Sequence, residues 1–156
     1  MNCATISEIK KRQTKLVRKN PTQLLEIEFI IEKSAAIPHK SPLLKEFYNC
    51  SYKKQGLMWD SYKEYRAEKD SYVVYCVVNT KIVGWLFTFS NDTKSQEIML
   101  YVHPKYRKNK IGSRLFNIAR KLFPEKSINY TPHNQTSIEF FWSVDPKNMQ
   151  TNFKYD

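Results

Sequence analysis

Two apolar runs lie back to back in the middle of the chain and constrain its fold more than any other feature. Tyr72-Val73-Val74-Tyr75-Cys76-Val77-Val78 is β-branched, aromatic or apolar throughout, as befits a strand covered on both faces. Asn79-Thr80-Lys81 is a short turn, and Ile82-Val83-Gly84-Trp85-Leu86-Phe87-Thr88-Phe89 returns as the second arm of a hairpin. The chain has 156 residues, enough for one domain around such a sheet and too few for two ordinary ones. Both runs fall far short of the roughly 20 apolar residues of a membrane helix. No apolar signal-peptide segment opens the chain. It therefore reads as a soluble, cytoplasmic protein without a membrane partner.

The flanking segments supply helices and further strands. Residues 1–20 are strongly basic (Lys10, Lys11, Arg12, Lys15, Arg18 and Lys19 against Glu8). Ile6, Ile9 and Leu16 are spaced for a helical stripe, so 1–20 reads as a basic extension, helical or mobile, ahead of one domain over 21–156. Leu25–Phe29 alternates as a strand does, while Leu24, Ile27 and Ile31 also fit a helix. Ser41-Pro42 is a helix start, with a stop expected near Gly56. Asp60 is placed to cap a second helix. After the hairpin come a strand over Glu97–Val102, a helix over Ile111–Phe123, a strand over Ser127–Thr131 and a helix over Thr136–Val144. Met149–Tyr155 is the last strand candidate. The order predicts an α/β (α+β) domain.

Charge is concentrated. The chain carries 26 Lys and Arg against 15 acids, a net +11, which calls for an anionic partner. Residues 105–126 hold eight basic side chains (Lys105, Arg107, Lys108, Lys110, Arg114, Arg120, Lys121, Lys126) and one acid, Glu125. Here a strand runs through His103-Pro104 into a basic loop that opens a helix. Main-chain N–H groups at such an end lack internal partners and sit at the positive pole of the helix dipole, which suits a phosphate. Gly112 lets the backbone approach a ligand closely. Charge alone leaves two readings: a pyrophosphate site, or a solvated basic helix face beside a plain turn. Three scattered cysteines (Cys3, Cys50, Cys76) and three scattered histidines offer neither a disulfide framework nor a metal site.

The stretch Val102-His103-Pro104-Lys105-Tyr106-Arg107, then Lys108-Asn109-Lys110-Ile111-Gly112-Ser113, resembles the acetyl-coenzyme A binding core of the GCN5-related N-acetyltransferases (GNAT). Their signature is Q/R-x-x-G-x-G/A; here it reads Arg107-Lys108-Asn109-Lys110-Ile111-Gly112. The resemblance extends over about residues 72–123, more weakly over 127–142. It implies a mixed, mostly antiparallel sheet flanked by helices, with a shortened C-terminal part whose acceptor side is either truncated or completed by a second copy in a homodimer. It further implies that Leu100, Tyr101 and Val102 pair with the pantetheine arm through their backbone. Arg107, Lys108, Asn109, Lys110, Ile111, Gly112 and Ser113 would wrap the pyrophosphate. Asn134, Ser137 and Phe140-Phe141 resemble the N-x-x-A-x-x-F-Y pattern beside the cofactor thiol.

Two departures stand out. Lys110 replaces the usual first glycine, and Phe141 stands where many members carry the tyrosine that protonates the leaving thiolate. Ser137 or Tyr130 is then the candidate acid. Glu97 is the candidate general base, which a neutral attacking amine requires. The implied activity is transfer of an acetyl group from acetyl-CoA to an amine: a small amine, a protein amine or an aminoacyl-tRNA. The alternative is a catalytically inactive protein of the same fold that engages nucleic acid or an acidic protein surface through residues 1–20 and 105–126.

Overall fold

The structure is a computed structural model, and it describes residues 13–20, 23–54, 58–90, 92–132 and 134–152. Among the described residues, six strands form one sheet in chain order: β1 (Gln13–Asn20), β2 (Gln23–Lys33), β3 (Tyr72–Val78), β4 (Lys81–Phe89), β5 (Ser95–Val102) and β6 (Ser127–Asn129). The first five pair antiparallel and β6 joins β5 in parallel. Among the described residues, five helices flank it: α1 (Pro42–Lys54), α2 (Met58–Tyr65), α3 (Ile111–Leu122), α4 (Gln135–Val144) and α5 (Pro146–Asn152).

The apolar hairpin is the middle of the sheet. Its turn is tighter than three residues: Val78 pairs with Lys81, and Asn79 and Thr80 take φ values of 48° and 70°. That is the geometry whose twist matches two antiparallel strands. Asn79 pins the turn to β2, its Oδ1 accepting from Glu26 N–H over 3.2 Å. Both faces of the hairpin are covered, each by its own core. On one side α3 lays Ile111, Leu115, Phe116, Ile118 and Ala119 against Phe29, Val74, Cys76 and Leu86. On the other, Leu43, Leu44 and Phe47 of α1 and Met58 and Tyr62 of α2 bury Trp85, Phe87 and Phe89.

Three segments differ from the expectations above. Residues 13–20 are a strand hydrogen-bonded to β2, with Lys15 opposite Ile27, rather than part of a helix; Ile6 and Ile9 lie outside the described residues. The ambiguous Leu25–Phe29 is strand, with Ile27, Phe29 and Ile31 on the α3 side. Met149 and the residues before it form helix α5, not a strand. Pro146 opens that helix, the Met149 N–H donates to the Asp145 carbonyl over 3.1 Å, and the Met149 side chain is fully buried; residues 153–156 lie outside the described residues. β6 is also shorter than expected, ending at Asn129.

Candidate active site

The site begins where two strands part. β5 and β6 are in register at Ser95–Ser127, Gln96–Ile128 and Glu97–Asn129, and the pairing stops there. β5 runs on to Val102 with β4 on its other side. The His103 N–H donates to the Val83 carbonyl over 2.8 Å. Strand alternation therefore turns the main-chain groups of Tyr101 toward β4, and those of Leu100 and Val102 toward the gap. Gly84 agrees with this: a Cβ there would lie 3.2 Å from the Tyr101 carbonyl oxygen. Of the three expected strand residues, two thus present backbone to the open edge. The Val102 carbonyl already accepts from Arg107 Nε over 2.9 Å.

Beyond the gap the chain turns through a 3-10 turn, Pro104–Tyr106, into the basic loop. Asn109 Nδ2 donates to the Tyr106 carbonyl over 3.2 Å and fastens the loop. Lys108 and Lys110 adopt φ values of 66° and 62°. Glycine suits such a backbone best, and a side chain there costs roughly 1 kcal/mol. Lys110 thus holds a backbone conformation that glycine adopts most readily. It is the N-cap of α3, yet no side chain caps the helix. The first intrahelical bond runs from Arg114 N–H to the Lys110 carbonyl over 3.1 Å, so the N–H groups of Ile111, Gly112 and Ser113 point out of the helix end. Ile111 offers only backbone, because its side chain is in the core. Gly112 also meets a packing constraint that the sequence does not signal. A Cβ at that position would sit 2.9 Å from Phe140 Cε2, so the glycine admits the Phe140 ring.

The residues around α4 are occupied with structure. Asn134 and Ser137 form a capping box: Asn134 Oδ1 accepts from Ser137 N–H over 2.9 Å, and Ser137 Oγ accepts from Asn134 N–H over 3.1 Å. Ser137 Oγ also donates to the Asn134 carbonyl over 2.9 Å. Phe141 is buried, stacked on Tyr130 at 3.7 Å and edge-on to Phe116. Tyr130 is buried too. Its hydroxyl donates to Asp145 Oδ2 over 2.7 Å, and Asn148 Nδ2 donates to it over 3.2 Å. Burial, then the bond to Asp145, push this phenol up from its ordinary value. Arg120 holds the same Asp145 from α3 over 2.6 Å. Neither hydroxyl, Ser137 or Tyr130, has its proton directed into the gap.

Glu97 stands at the point of divergence. Asn129 Nδ2 donates to its carboxylate over 3.4 Å. With Met99 and Tyr101 it lies on the α1–α2 side of β5. Across the ladder from Glu97 is Phe89, and the ring of Tyr65 stacks on Phe89 at 4.1 Å. The charges of Glu64, chiefly, and of Glu68 and Glu97 raise the Tyr65 phenol, with desolvation adding to them. A contact that sequence reasoning missed joins β5 to α1: His103 Nε2 lies 3.3 Å from Glu46 Oε2. His103 packs edge-on against Trp85 and Tyr101. No spacing in the sequence signals that pair, since 57 residues separate its members. The capping box, by contrast, was readable as Asn134-x-x-Ser137.

A splayed strand pair leads to an uncapped, lysine-rimmed helix start, a geometry with room for an extended ligand that has an anionic end. The chain belongs to the Acetyltransferase (GNAT) family, whose model matches residues 41–142. No curated protein matches it in sequence. Several solved structures share its fold. An aminoglycoside acetyltransferase from an uncultured soil metagenomic sample, in complex with trehalose, superposes with a TM-score of 0.58 at 12% identity, over 83% of this chain and 91% of that one. The ribosomal-protein-alanine N-acetyltransferase from Brucella melitensis biovar Abortus 2308 gives 0.51 at 11% identity, over 76% and 89%. The aminoglycoside N-acetyltransferase AAC(6')-Iy in complex with CoA gives 0.51 at 12%, over 76% and 86%.

Proposed function

We propose that the chain is an acetyl-CoA-dependent N-acetyltransferase. One observation carries the proposal: the Leu100 edge of β5, left open after Glu97, leads directly to the uncapped start of α3. Leu100 N–H and C=O match the amide groups of a pantetheine arm. The N–H groups of Ile111, Gly112 and Ser113 suit a pyrophosphate, with Lys108 and Lys110 adding charge. Arg107, tied by Nε to Val102, retains four further N–H donors on its terminal nitrogens.

In the reaction an amine nitrogen attacks the thioester carbonyl carbon. The C–N bond forms, the C–S bond breaks, and the thiolate leaves. The amine must lose a proton, and Glu97 is the carboxylate at the strand divergence able to take it, directly or through a water. Strand N–H groups facing the gap stabilise the developing oxyanion. Phe141 donates no proton, and the hydroxyls of Ser137 and Tyr130 are engaged in the α4 cap and with Asp145. The leaving group is therefore released as thiolate and protonated by solvent, which its modest basicity permits, an ordinary thiol having a pKa of about 8.5.

The acceptor is an amine reached from the α1–α2 side of β5, where Glu97, Met99 and Tyr101 lie. The fold neighbours named for aminoglycosides and for a ribosomal-protein alanine suggest polyamine-like antibiotics and peptide N-termini as first candidates. Incubation with acetyl-CoA and a panel of such amines, with free thiol and acetylated product both quantified, tests the activity. Equimolar thiol and acetyl-amine are expected. Binding of acetyl-CoA with no turnover on any amine would favour the inactive, binding-only alternative.

A further inference from the structure

The basic loop and α3 together carry more positive charge than a coenzyme end requires. Lys105, Lys108, Lys110, Asn117, Arg120 and Lys121 are exposed. Among the described residues, the cations of this segment that reach a carboxylate are Arg120, 2.6 Å from Asp145, and Lys126, 2.8 Å from Asp70. The Arg114 guanidinium lies over the Phe29 ring, 4.3 Å from its centre, which brings it to the β2 side of the helix. Lys110, Arg114, Asn117 and Lys121 recur at helical spacing and form one stripe along α3. The stripe is roughly 16 Å long at 1.5 Å per residue. Lys121 stands about nine residues, or roughly 13 Å, beyond the α3 N–H groups suited to a pyrophosphate.

The chemistry of this face selects the partner. A protein interface has a core of apolar and aromatic side chains depleted of charge. The exposed positions of α3 are instead Asn117, Arg120 and Lys121. Single-stranded nucleic acid is held by aromatic rings on which bases stack, and no aromatic residue is among them. Phosphate backbones are contacted by Arg, Lys and Asn. We propose that the α3 stripe, together with the exposed Lys105 ahead of the helix, binds the phosphate backbone of a nucleic-acid duplex without reading sequence. The stripe shares Lys110 with the pyrophosphate end but does not depend on acyl transfer.

The test is fluorescence anisotropy of the full chain with labelled 20-base-pair DNA and RNA duplexes across a salt series. Lys105→Glu/Lys121→Glu is the variant, because neither residue belongs to the cofactor loop. Binding at low salt is expected, with log K falling against log salt at a slope of about −3 to −5, as about four phosphate contacts imply. The double variant should weaken binding by at least ten-fold while its acetyl-CoA affinity, titrated on the same preparation, stays at the wild-type value. The arm that binds more tightly identifies the duplex. No binding of either duplex at low salt, or equal binding by the variant, would overturn the proposal. Displacement of the duplex by polyglutamate at equal charge concentration would also overturn it, in favour of an acidic protein partner.

Discussion

Arg107 Nε donates to the Val102 carbonyl over 2.9 Å, so the basic loop is tied back to the strand it leaves. The guanidinium also lies 5.7 Å from the Tyr101 ring centre. The arginine of the signature thus has a geometric duty besides its charge: it occupies an acceptor at the gap and fixes the path toward α3. Arg107→Ala is expected to weaken acetyl-CoA binding about ten-fold or more, since a hydrogen bond from a charged group contributes about 1.5–3 kcal/mol. Arg107→Lys should restore charge without restoring the planar fork, and so recover only part of the affinity. Calorimetric titration checks both. Wild-type affinity in Arg107→Ala would remove the loop from the site.

Lys110 holds a φ of 62° at the N-cap of α3. Lys110→Gly should raise unfolding free energy by up to about 1 kcal/mol, because the strain disappears. It should at the same time weaken acetyl-CoA binding, because a cation leaves the pyrophosphate end. Urea denaturation and titration separate the two effects. A stability loss in this variant would show that the lysine side chain makes a contact worth more than the strain.

Gly112 faces Phe140, whose Cε2 would lie 2.9 Å from an added Cβ. Gly112→Ala should therefore destabilise the fold by roughly 1–3 kcal/mol, the usual cost of overpacking. Gly112→Ala/Phe140→Leu should recover much of the loss. A double-mutant cycle by thermal denaturation measures the coupling. Additive losses would mean that Gly112 serves ligand approach rather than packing.

Cys76 is fully buried, and desolvation pushes its thiol from 9.0 up to about 12 against a smaller opposing pull from Arg114. The folded state favours the protonated thiol. That contribution is complete below pH 9, where the unfolded thiol is also protonated, and is lost as pH rises from 9 toward 12. Tyr72 and Tyr130, also raised, add the same sign at higher pH. Stability should fall between pH 9 and 11, and the fall should be shallower in Cys76→Ala, though that variant starts lower because of its cavity. Denaturation curves at three pH values decide the matter. Parallel slopes would show that Cys76 does not contribute.

The hairpin and α3 were legible because their periods are unambiguous: seven consecutive strand formers at Tyr72–Val78, and Ile111, Leu115 and Ile118 on one helical face. The loop motif was legible as a pattern. The packing behind it was not. Gly112 looked like a point of ligand approach, and only the fold brings Phe140 onto it from 28 positions away. Ser137 and Tyr130 stand as candidate acids in the sequence, and the partners that engage them, a helix cap and Asp145, depend on where α4 begins and α5 turns. β1 was missed because Gln13–Asn20 joins the sheet through main-chain pairing with β2, which leaves little trace in side-chain pattern. The composition around Met149 suits a strand, but Pro146 opens a helix there and the Met149 side chain is buried.

Amide hydrogen exchange with and without saturating acetyl-CoA tests the central claim most directly. The ligand should slow exchange at Leu100 and at Ile111, Gly112 and Ser113, the N–H groups facing the gap and the helix end, while leaving Tyr101, already paired with β4, at its unliganded rate. Saturable binding of acetyl-CoA with no added protection at these four amides would contradict the assignment of the site, and no binding at millimolar concentration would contradict the proposed function itself.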